Sequence, residues 1–358
     1  MDSLGPVRYT VRALYGRLMS RESRNILVRM PNWIGDLVMG TPILADLRAA
    51  FPKATITAMC RTPISELLKQ DAAIDELFCF TRPPNKFLRR QEHRNIIAKI
   101  ATGKFDTAVL LTNSFSSAWW CWQGKVPRRI GYSAHLRRLL LTDPVFWPKE
   151  KMHQVDLYKR LLYPLDVPHS ETAPRLYVSK KEVDESKQLL YQRGYVPGKK
   201  LIGINPGAAY GSAKCWPPDR FRALALELLK EGYVVFFGDA STFTLVREIC
   251  QGLPEQAMNL AGVTSLRELA CIIKDCDLLV TNDSGPMHIA AAFNTPLIAL
   301  FGSTDERATG PYGKPDAVIN KHASCSPCFK RVCPIDFRCM NNITVEEVVE
   351  KARELLRV

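Results

Sequence analysis

Short apolar runs alternate with helix-patterned segments along this chain, and the alternation starts twice. Ile26–Met30, Thr55–Met59, Phe78–Phe80 and Thr107–Leu111 read as strands, with helical segments over Gly40–Ala50 and Pro63–Lys69. Past residue 200 the pattern restarts. Leu201–Ile204, Val234–Phe237, Leu278–Val280 and Leu297–Phe301 are apolar, and Asp219–Lys230, Thr242–Cys250 and Pro286–Phe293 between them are helical. Such alternation demands parallel sheets with helices on both faces, so the predicted class is α/β with two doubly wound domains. The 358 residues suit two cores. Pro164, Pro168 and Pro174 mark a linker. The predicted division is an N-terminal extension (1–24), a first domain (25–163), a linker (164–176), a second domain (177–343) and a C-terminal helix (344–358). That helix opens on a capping box, Thr344 with Glu347, and is expected to cross back to the first domain. Ligands of open α/β sheets sit at the carboxyl ends of strands. Two such domains facing each other would therefore form an interdomain cleft.

Charge narrows the class of partner. Residues 1–175 carry 27 Lys/Arg against 15 Asp/Glu, whereas residues 176–358 carry 22 against 21. One half is thus suited to nucleic acid, an anionic membrane face or a phosphorylated substrate. Against a nucleic-acid binder, the aromatic residues do not interleave with the charges as a stacking platform would. No apolar run approaches the ~18 residues of a membrane span, and the N-terminus lacks an apolar signal core, so a cytoplasmic protein is expected. The 11 cysteines are then reduced or metal-bound. Arg8, Arg12, Arg17, Arg21 and Arg24 flank Val7, Val11, Leu14, Tyr15 and Leu18 in a basic amphipathic pattern. That helix fits either an anionic membrane face or the protein's own surface.

Three strand–loop–helix junctions carry polar groups suited to chemistry. In Val280–Ala292 a buried strand, expected over Asp277–Thr281, breaks into Asn282-Asp283-Ser284-Gly285-Pro286-Met287-His288 and then a small-residue helix. Asp283 and Ser284 are capping types, Pro286 suits the first turn and Gly285 admits a ligand close to the backbone. The helix N-terminus favours phosphate, and Asp283 can accept from hydroxyls beside it. The loop after Leu201–Ile204 holds Gly207, Ala209, Gly211 and Lys214, the last a point charge for a diphosphate. After the first strand comes Asn32-Trp33-Ile34-Gly35-Asp36, without G-x-G-x-x-G spacing, so the dinucleotide fingerprint fails. Asp36 is either a helix N-terminal acid or a general base at the edge of a cleft. Asp239, after Phe237-Gly238, is either a ribose-binding acid or a turn residue. Asp275-Cys276-Asp277 spells D-x-D, but Leu278–Val280 runs straight on into the sheet, so it is read as the start of a strand.

Taken together, Asn32–Asp36, Asn205-Pro206-Gly207-Ala208 with Lys214–Pro217, Leu260-Ala261-Gly262 with Thr264–Leu266, and Asn282–His288 resemble the lipopolysaccharide heptosyltransferases of glycosyltransferase family nine, over roughly residues 25–356. The resemblance implies a GT-B fold and inverting, metal-independent transfer of heptose from ADP-heptose to the heptose of the lipid A–Kdo2 inner core. It implies Asp36 as base and Lys214 as the diphosphate contact, with Asp283, Ser284, Gly285 and His288 on the donor. Gly207, Ala209, Asp239, Gly262 and Thr264 complete the candidate donor set. Trp33, Asn113, Arg128 and Arg129 are the candidate acceptor contacts, with Arg137 and Arg138 nearby. No catalytic cofactor is expected. The partners are ADP-heptose, the lipid-anchored acceptor and, peripherally, the cytoplasmic face of the inner membrane. The rival readings are a GT-B transferase with another nucleotide sugar and a basic nucleic-acid binder. Cys325, Cys328, Cys333 and Cys339, spaced C-x2-C-x4-C-x5-C, are either a structural zinc set or plain thiols.

Overall fold

The computed structural model describes residues 23–134 and 136–357, so the amphipathic extension lies, but for its last two residues, outside the described residues. The chain forms two compact units, divided between Thr172 and Ala173, inside the proline-marked segment.

The first unit runs β1 (Asn25–Arg29), α1 (Ile34–Met39), α2 (Thr41–Ala50), β2 (Thr55–Arg61), β3 (Glu76–Phe80), α3 (Lys86–Thr102), β4 (Thr107–Leu110), α4 (Phe115–Gln123), β5 (Arg128–Tyr132), β6 (Asp143–Val145) and α5 (Gln154–Arg160). Its strands pair in the order β3-β2-β1-β4-β5-β6, every pair parallel. Ile26, Leu27 and Val28 are wholly buried. Helices cover both faces of a parallel sheet, so its central strands read as unbroken apolar runs. The segment expected to be helical over Pro63–Lys69 is a 3-10 turn, Ile64–Leu68.

The second unit repeats the plan: α6 (Lys180–Tyr191), β7 (Leu201–Asn205), α7 (Pro218–Leu228), β8 (Tyr233–Phe236), α8 (Phe243–Cys250), β9 (Ala257–Asn259), α9 (Leu266–Asp275), β10 (Leu278–Asn282), α10 (Gly285–Phe293), β11 (Leu297–Phe301), α11 (Glu306–Thr309), β12 (Val318–Asn320), α12 (Arg338–Asn341) and α13 (Val345–Leu356). Its parallel order, β12-β11-β10-β7-β8-β9, has the same winding. Both sheets therefore reverse direction beside their first strand, between β1 and β4 and between β7 and β10. The loops leaving the carboxyl ends of those strands part there and open a crevice.

The C-terminal helix packs on its own unit. Val348, Val349, Ala352 and Leu356 of α13 are buried in the core of the second unit, among Phe221, Leu224, Leu278 and Leu300. Only half of its capping box forms. Thr344 Oγ1 accepts from the Glu347 N–H at 3.2 Å, while the Glu347 carboxylate turns to Lys321 at 2.7 Å.

Candidate functional sites at the two switch points

In the first unit the chain leaves β1 through Pro31, Asn32 and Trp33 and turns into α1, whose first turn holds Asp36. Tyr158 of α5 donates its hydroxyl to Asp36 Oδ1 at 3.5 Å. Burial first, then the charge of Asp36, hold the Tyr158 phenol well above its ordinary range, so it stays a donor. Trp33 is 61% exposed beside this turn. Across the switch point, Asn113 follows β4. Its side-chain oxygen accepts from Arg137, 3.3 Å away.

Next to this junction lies a cavity of about 480 Å³ at the carboxyl ends of β1, β2, β3 and β4. Arg29, Arg61, Arg82, Arg89 and His93 line it, together with hydroxyls of Thr81, Ser114 and Ser116, and no carboxylate does. Among the described residues Arg61 and Arg82 make no ion pair. Arg29 is 2% exposed, donates to Asn32 Oδ1 at 2.6 Å and stacks over the Phe80 ring at 4.6 Å. Burial pulls its guanidinium down to about 10, so it remains charged at neutral pH. Burial, then Arg89 and Arg82, push His93 below its ordinary value. Two enclosed donors of its lining residues, Arg29 Nε and Trp120 Nε1, have no partner. Four arginines around a cavity without a carboxylate suit an anionic, acceptor-rich ligand. Spacing gave no signal for this cavity, because its basic residues come from β1, the end of β2, the loop after β3 and α3.

Arg128 and Arg129 do not belong to this group. They open β5, opposite Thr107 and Ala108 at the start of β4, and so lie at the amino edge of the sheet, away from the switch-point loops. Arg129 donates to the Leu140 carbonyl at 2.6 Å and to Val126, and Arg128 meets Asp143 at 3.3 Å and the Pro164 carbonyl. Their charges are spent bracing the fold. Arg137 is likewise structural. Fully buried, it donates to the carbonyls of Tyr132, at 2.8 Å, and Thr112, bracing the loop that carries Asn113. Arg138 is exposed, over the Phe146 ring at 5.4 Å.

In the second unit two buried asparagines bind together the loops that follow β7 and β10. Asn205 donates to Ser284 Oγ at 2.9 Å and to the Gly207 carbonyl at 3.0 Å. Asn282 donates to the Pro206 carbonyl at 2.7 Å and accepts from the Trp216 N–H at 3.0 Å. Ser284 occupies the N-cap of α10, but its side chain makes no cap bond. Gly285 begins that helix, and His288 is buried within it. Lys214, 14% exposed, pairs with Asp283 Oδ2 at 2.5 Å, and Thr304 donates to the same oxygen at 2.7 Å. The Lys214 ammonium lies over the Tyr210 ring at 5.0 Å, and Arg331 approaches that ring at 5.4 Å. One Asp283 oxygen is thus committed to holding the lysine, a role that spacing alone did not suggest. Tyr210, Thr304, Arg331 and the two asparagines join the site through tertiary contact.

The remaining donor candidates lie at the same carboxyl edge with mixed outcomes. Asp239 caps a 3-10 turn. Its Oδ1 accepts from the Ser241 and Thr242 N–H groups at 3.0 and 3.1 Å and from Ser241 Oγ at 2.6 Å. Burial favours the neutral form, yet the bonds from Ser241 and Thr242 outweigh it and hold this carboxyl below its ordinary value. The turn reading therefore accounts for that oxygen, and the ribose role loses it. A Cβ on Gly207 would come within 2.7 Å of Thr242 Cγ2, so this glycine is needed for packing against that turn. Gly262, at φ +70°, donates to the Gly238 carbonyl at 2.9 Å and sets its turn, with half-buried Thr264, beside Asp239. Ala209 is exposed at the tip of the Lys214 loop. Asp275 pairs with Lys187 at 2.9 Å and Asp277 accepts from the Leu201 N–H at 2.8 Å, so the D-x-D acids are occupied at the amino edge of the sheet.

The four cysteines are not gathered into a metal-holding group in this structure. Among the described residues no three His, Cys, Asp or Glu come together where an ion could be held, and all four cysteines are free thiols. Cys339 is buried in α12 against Gly302, where an added Cβ would sit 2.9 Å from its sulfur. Cys333 Sγ instead accepts from the Phe337 N–H at 3.4 Å. The segment does other work: the Phe329 carbonyl accepts from Tyr210 at 2.8 Å and the Arg331 carbonyl from the Ala213 N–H at 3.0 Å, clamping the Lys214 loop.

Residues 93–337 match the family described as glycosyltransferase family 9 (heptosyltransferase). Lipooligosaccharide heptosyltransferase 2 of Haemophilus influenzae is 33% identical over 306 residues, covering 82% of this chain and 88% of that protein. Lipopolysaccharide heptosyltransferase 2 of Escherichia coli is 34% identical over 307 residues, covering 82% and 87%. The solved structure of E. coli ADP-heptose lps heptosyltransferase II superposes with a TM-score of 0.80 at 31% identity, covering 93% of this chain and 98% of that one.

Proposed function

The chain belongs to glycosyltransferase family 9, the heptosyltransferases, and from that premise we propose that it transfers heptose from ADP-heptose to the heptose of the lipopolysaccharide inner core, with inversion. The observation that carries the donor half is the Lys214 ammonium, fixed by Asp283 and Thr304 at the switch point of the second sheet, where α10 begins without a side-chain cap. A preset cation and a helix N-terminus are suited to a diphosphate leaving group. The likeness to two heptosyltransferase 2 enzymes and to the solved ADP-heptose lps heptosyltransferase II supports heptose as the transferred group and ADP-heptose as its donor.

In the proposed reaction Asp36 takes the proton of an acceptor hydroxyl. The hydroxyl oxygen attacks the anomeric carbon from the face opposite ADP, and the bond to the diphosphate breaks with its electron pair passing to ADP. Lys214 and the N-terminus of α10 stabilise that charge. Ser284, Gly285 and His288 line the donor side, while Trp33 and Asn113 flank the acceptor. Arg61, Arg82 and Arg89 replace Arg128 and Arg129 as the groups that meet its acidic substituents. No step requires a metal ion. Among the described residues no helix is long and apolar enough to cross a membrane. A lipid-linked acceptor then requires peripheral contact, assigned to the cytoplasmic face of the inner membrane.

The test incubates the full chain with ADP-heptose and a lipid A–Kdo2–heptose acceptor and follows ADP release and the configuration of the product. ADP release that depends on the acceptor, with an inverted linkage, is expected. Turnover of UDP-sugars but not of ADP-heptose would overturn the donor assignment.

A further inference from the structure

Helix α4 presents three faces. Ser117, Ala118 and Cys121 are buried in the unit, and Ser116 and Trp120 line the cationic cavity. Phe115, Trp119 and Trp122 point outward, 46%, 36% and 44% exposed. The spacing i, i+4, i+7 puts these three on one stripe. They form a ridge, with centroids 6.1 Å apart for Phe115–Trp119 and 5.0 Å for Trp119–Trp122. The 3-10 turn Arg137–Leu140 packs against α4. Leu139 of that turn, and Leu136 just before it, are 92% and 89% exposed.

A contiguous apolar ridge beside two bare leucines is not the scattered exposure of an ordinary surface. Its electrostatic setting selects the occupant. Residues 107–142 contain no Asp or Glu. Lys125 and Arg138 are exposed within that stretch, and α3, packed against α4, exposes Arg90 and Arg94. A second copy of this chain would bring like charges together. An anionic bilayer would accept indole rings at headgroup depth, leucines among the acyl chains and the cations among phosphates.

We propose that the Phe115–Trp119–Trp122 ridge and the Leu136–Leu139 turn dock the first unit on an anionic lipid bilayer. The same helix would then set the cationic cavity beside the headgroups. This deepens the reading of a lipid-linked acceptor, and its test uses neither donor nor acceptor for the primary readout, so the two can fail separately.

The full chain is sedimented with vesicles of phosphatidylethanolamine and phosphatidylglycerol, and with phosphatidylcholine vesicles as control. The wild type is expected to bind the anionic vesicles selectively. The double variants Leu136→Asp with Leu139→Asp, and Trp119→Ser with Trp122→Ser, are each expected to weaken that partition by more than about tenfold. Unchanged circular dichroism and unchanged ADP release with a water-soluble, delipidated acceptor would show that both variants remain folded. Partition of both variants equal to wild type would overturn the proposal, as would indifference to lipid charge. A wild-type dimer that these substitutions dissolve would overturn it in favour of self-association.

Discussion

Asp36 is the residue on which the proposed chemistry turns, and its surroundings suit a base. It starts a helix, where the macrodipole favours a carboxylate, and it takes a hydroxyl from a tyrosine that stays protonated. Asp36→Asn keeps size and helix start. Turnover is expected to fall by ~10²–10⁴ while ADP-heptose affinity, read by calorimetry, stays unchanged. Near-normal turnover would remove Asp36 from the reaction. On the donor side Lys214 and Asp283 act as one device. Lys214→Met deletes the cation, and Asp283→Asn leaves it unanchored. Each is expected to slow turnover by ~10²-fold or more, and the double variant should be scarcely worse than Lys214→Met, because the carboxylate acts through the lysine. Additive losses in that cycle would show that Asp283 has its own contact with the donor.

At the level of elements, legibility followed burial. The central strands, such as Ile26–Val28 and Leu278–Val280, are buried on both faces and so stood out as apolar runs. Strand β5, Arg-Arg-Ile-Gly-Tyr, and the three-residue β6 did not, because one opens on two arginines and the other lies at the sheet edge. Helix α4 escaped notice because its three tryptophans face both the cavity and solvent, which blurs the helical stripe. The site showed the same limit. Asp36, Lys214 and Ser284 were legible as loop residues after strands, whereas Asn205 and Asn282 gain their roles from bonds across 76 to 79 positions. Arginine charge was countable, but its direction was not: Arg137 points into carbonyls and Arg82 into the cavity. That contrast is testable. Arg137→Met leaves buried carbonyls of Tyr132 and Thr112 unanswered and is expected to cost about 1–3 kcal/mol, seen as a lowered denaturant midpoint. Unchanged stability would mean that water replaces the guanidinium at no cost.

At the scale of the whole molecule the two halves differ in charge. The excess positive charge lies in the first half, so raising salt is expected to raise the acceptor KM far more than the donor KM, since exposed charges are screened beyond about 8 Å at physiological ionic strength. Arg82→Glu should raise acceptor KM in the same sense, and Arg128→Glu should leave it unchanged because it lies at the other edge of the sheet. Equal salt sensitivity of the two substrates would detach the basic half from acceptor choice. Each half also has its own core, one around Leu27, Leu110 and Ile100 and one around Phe221, Leu278 and Val348. Calorimetry is therefore expected to resolve two unfolding transitions, with ADP raising only the one that belongs to residues 173–358. A single transition, or one in which both halves respond, would contradict that independence. The shared strand order of the two sheets reaches beyond this one catalyst. On the proposed reading, in which the first unit meets the acceptor and the second the activated sugar, a chain rejoined near residue 172 with another first unit would glycosylate a different acceptor from the same nucleotide sugar.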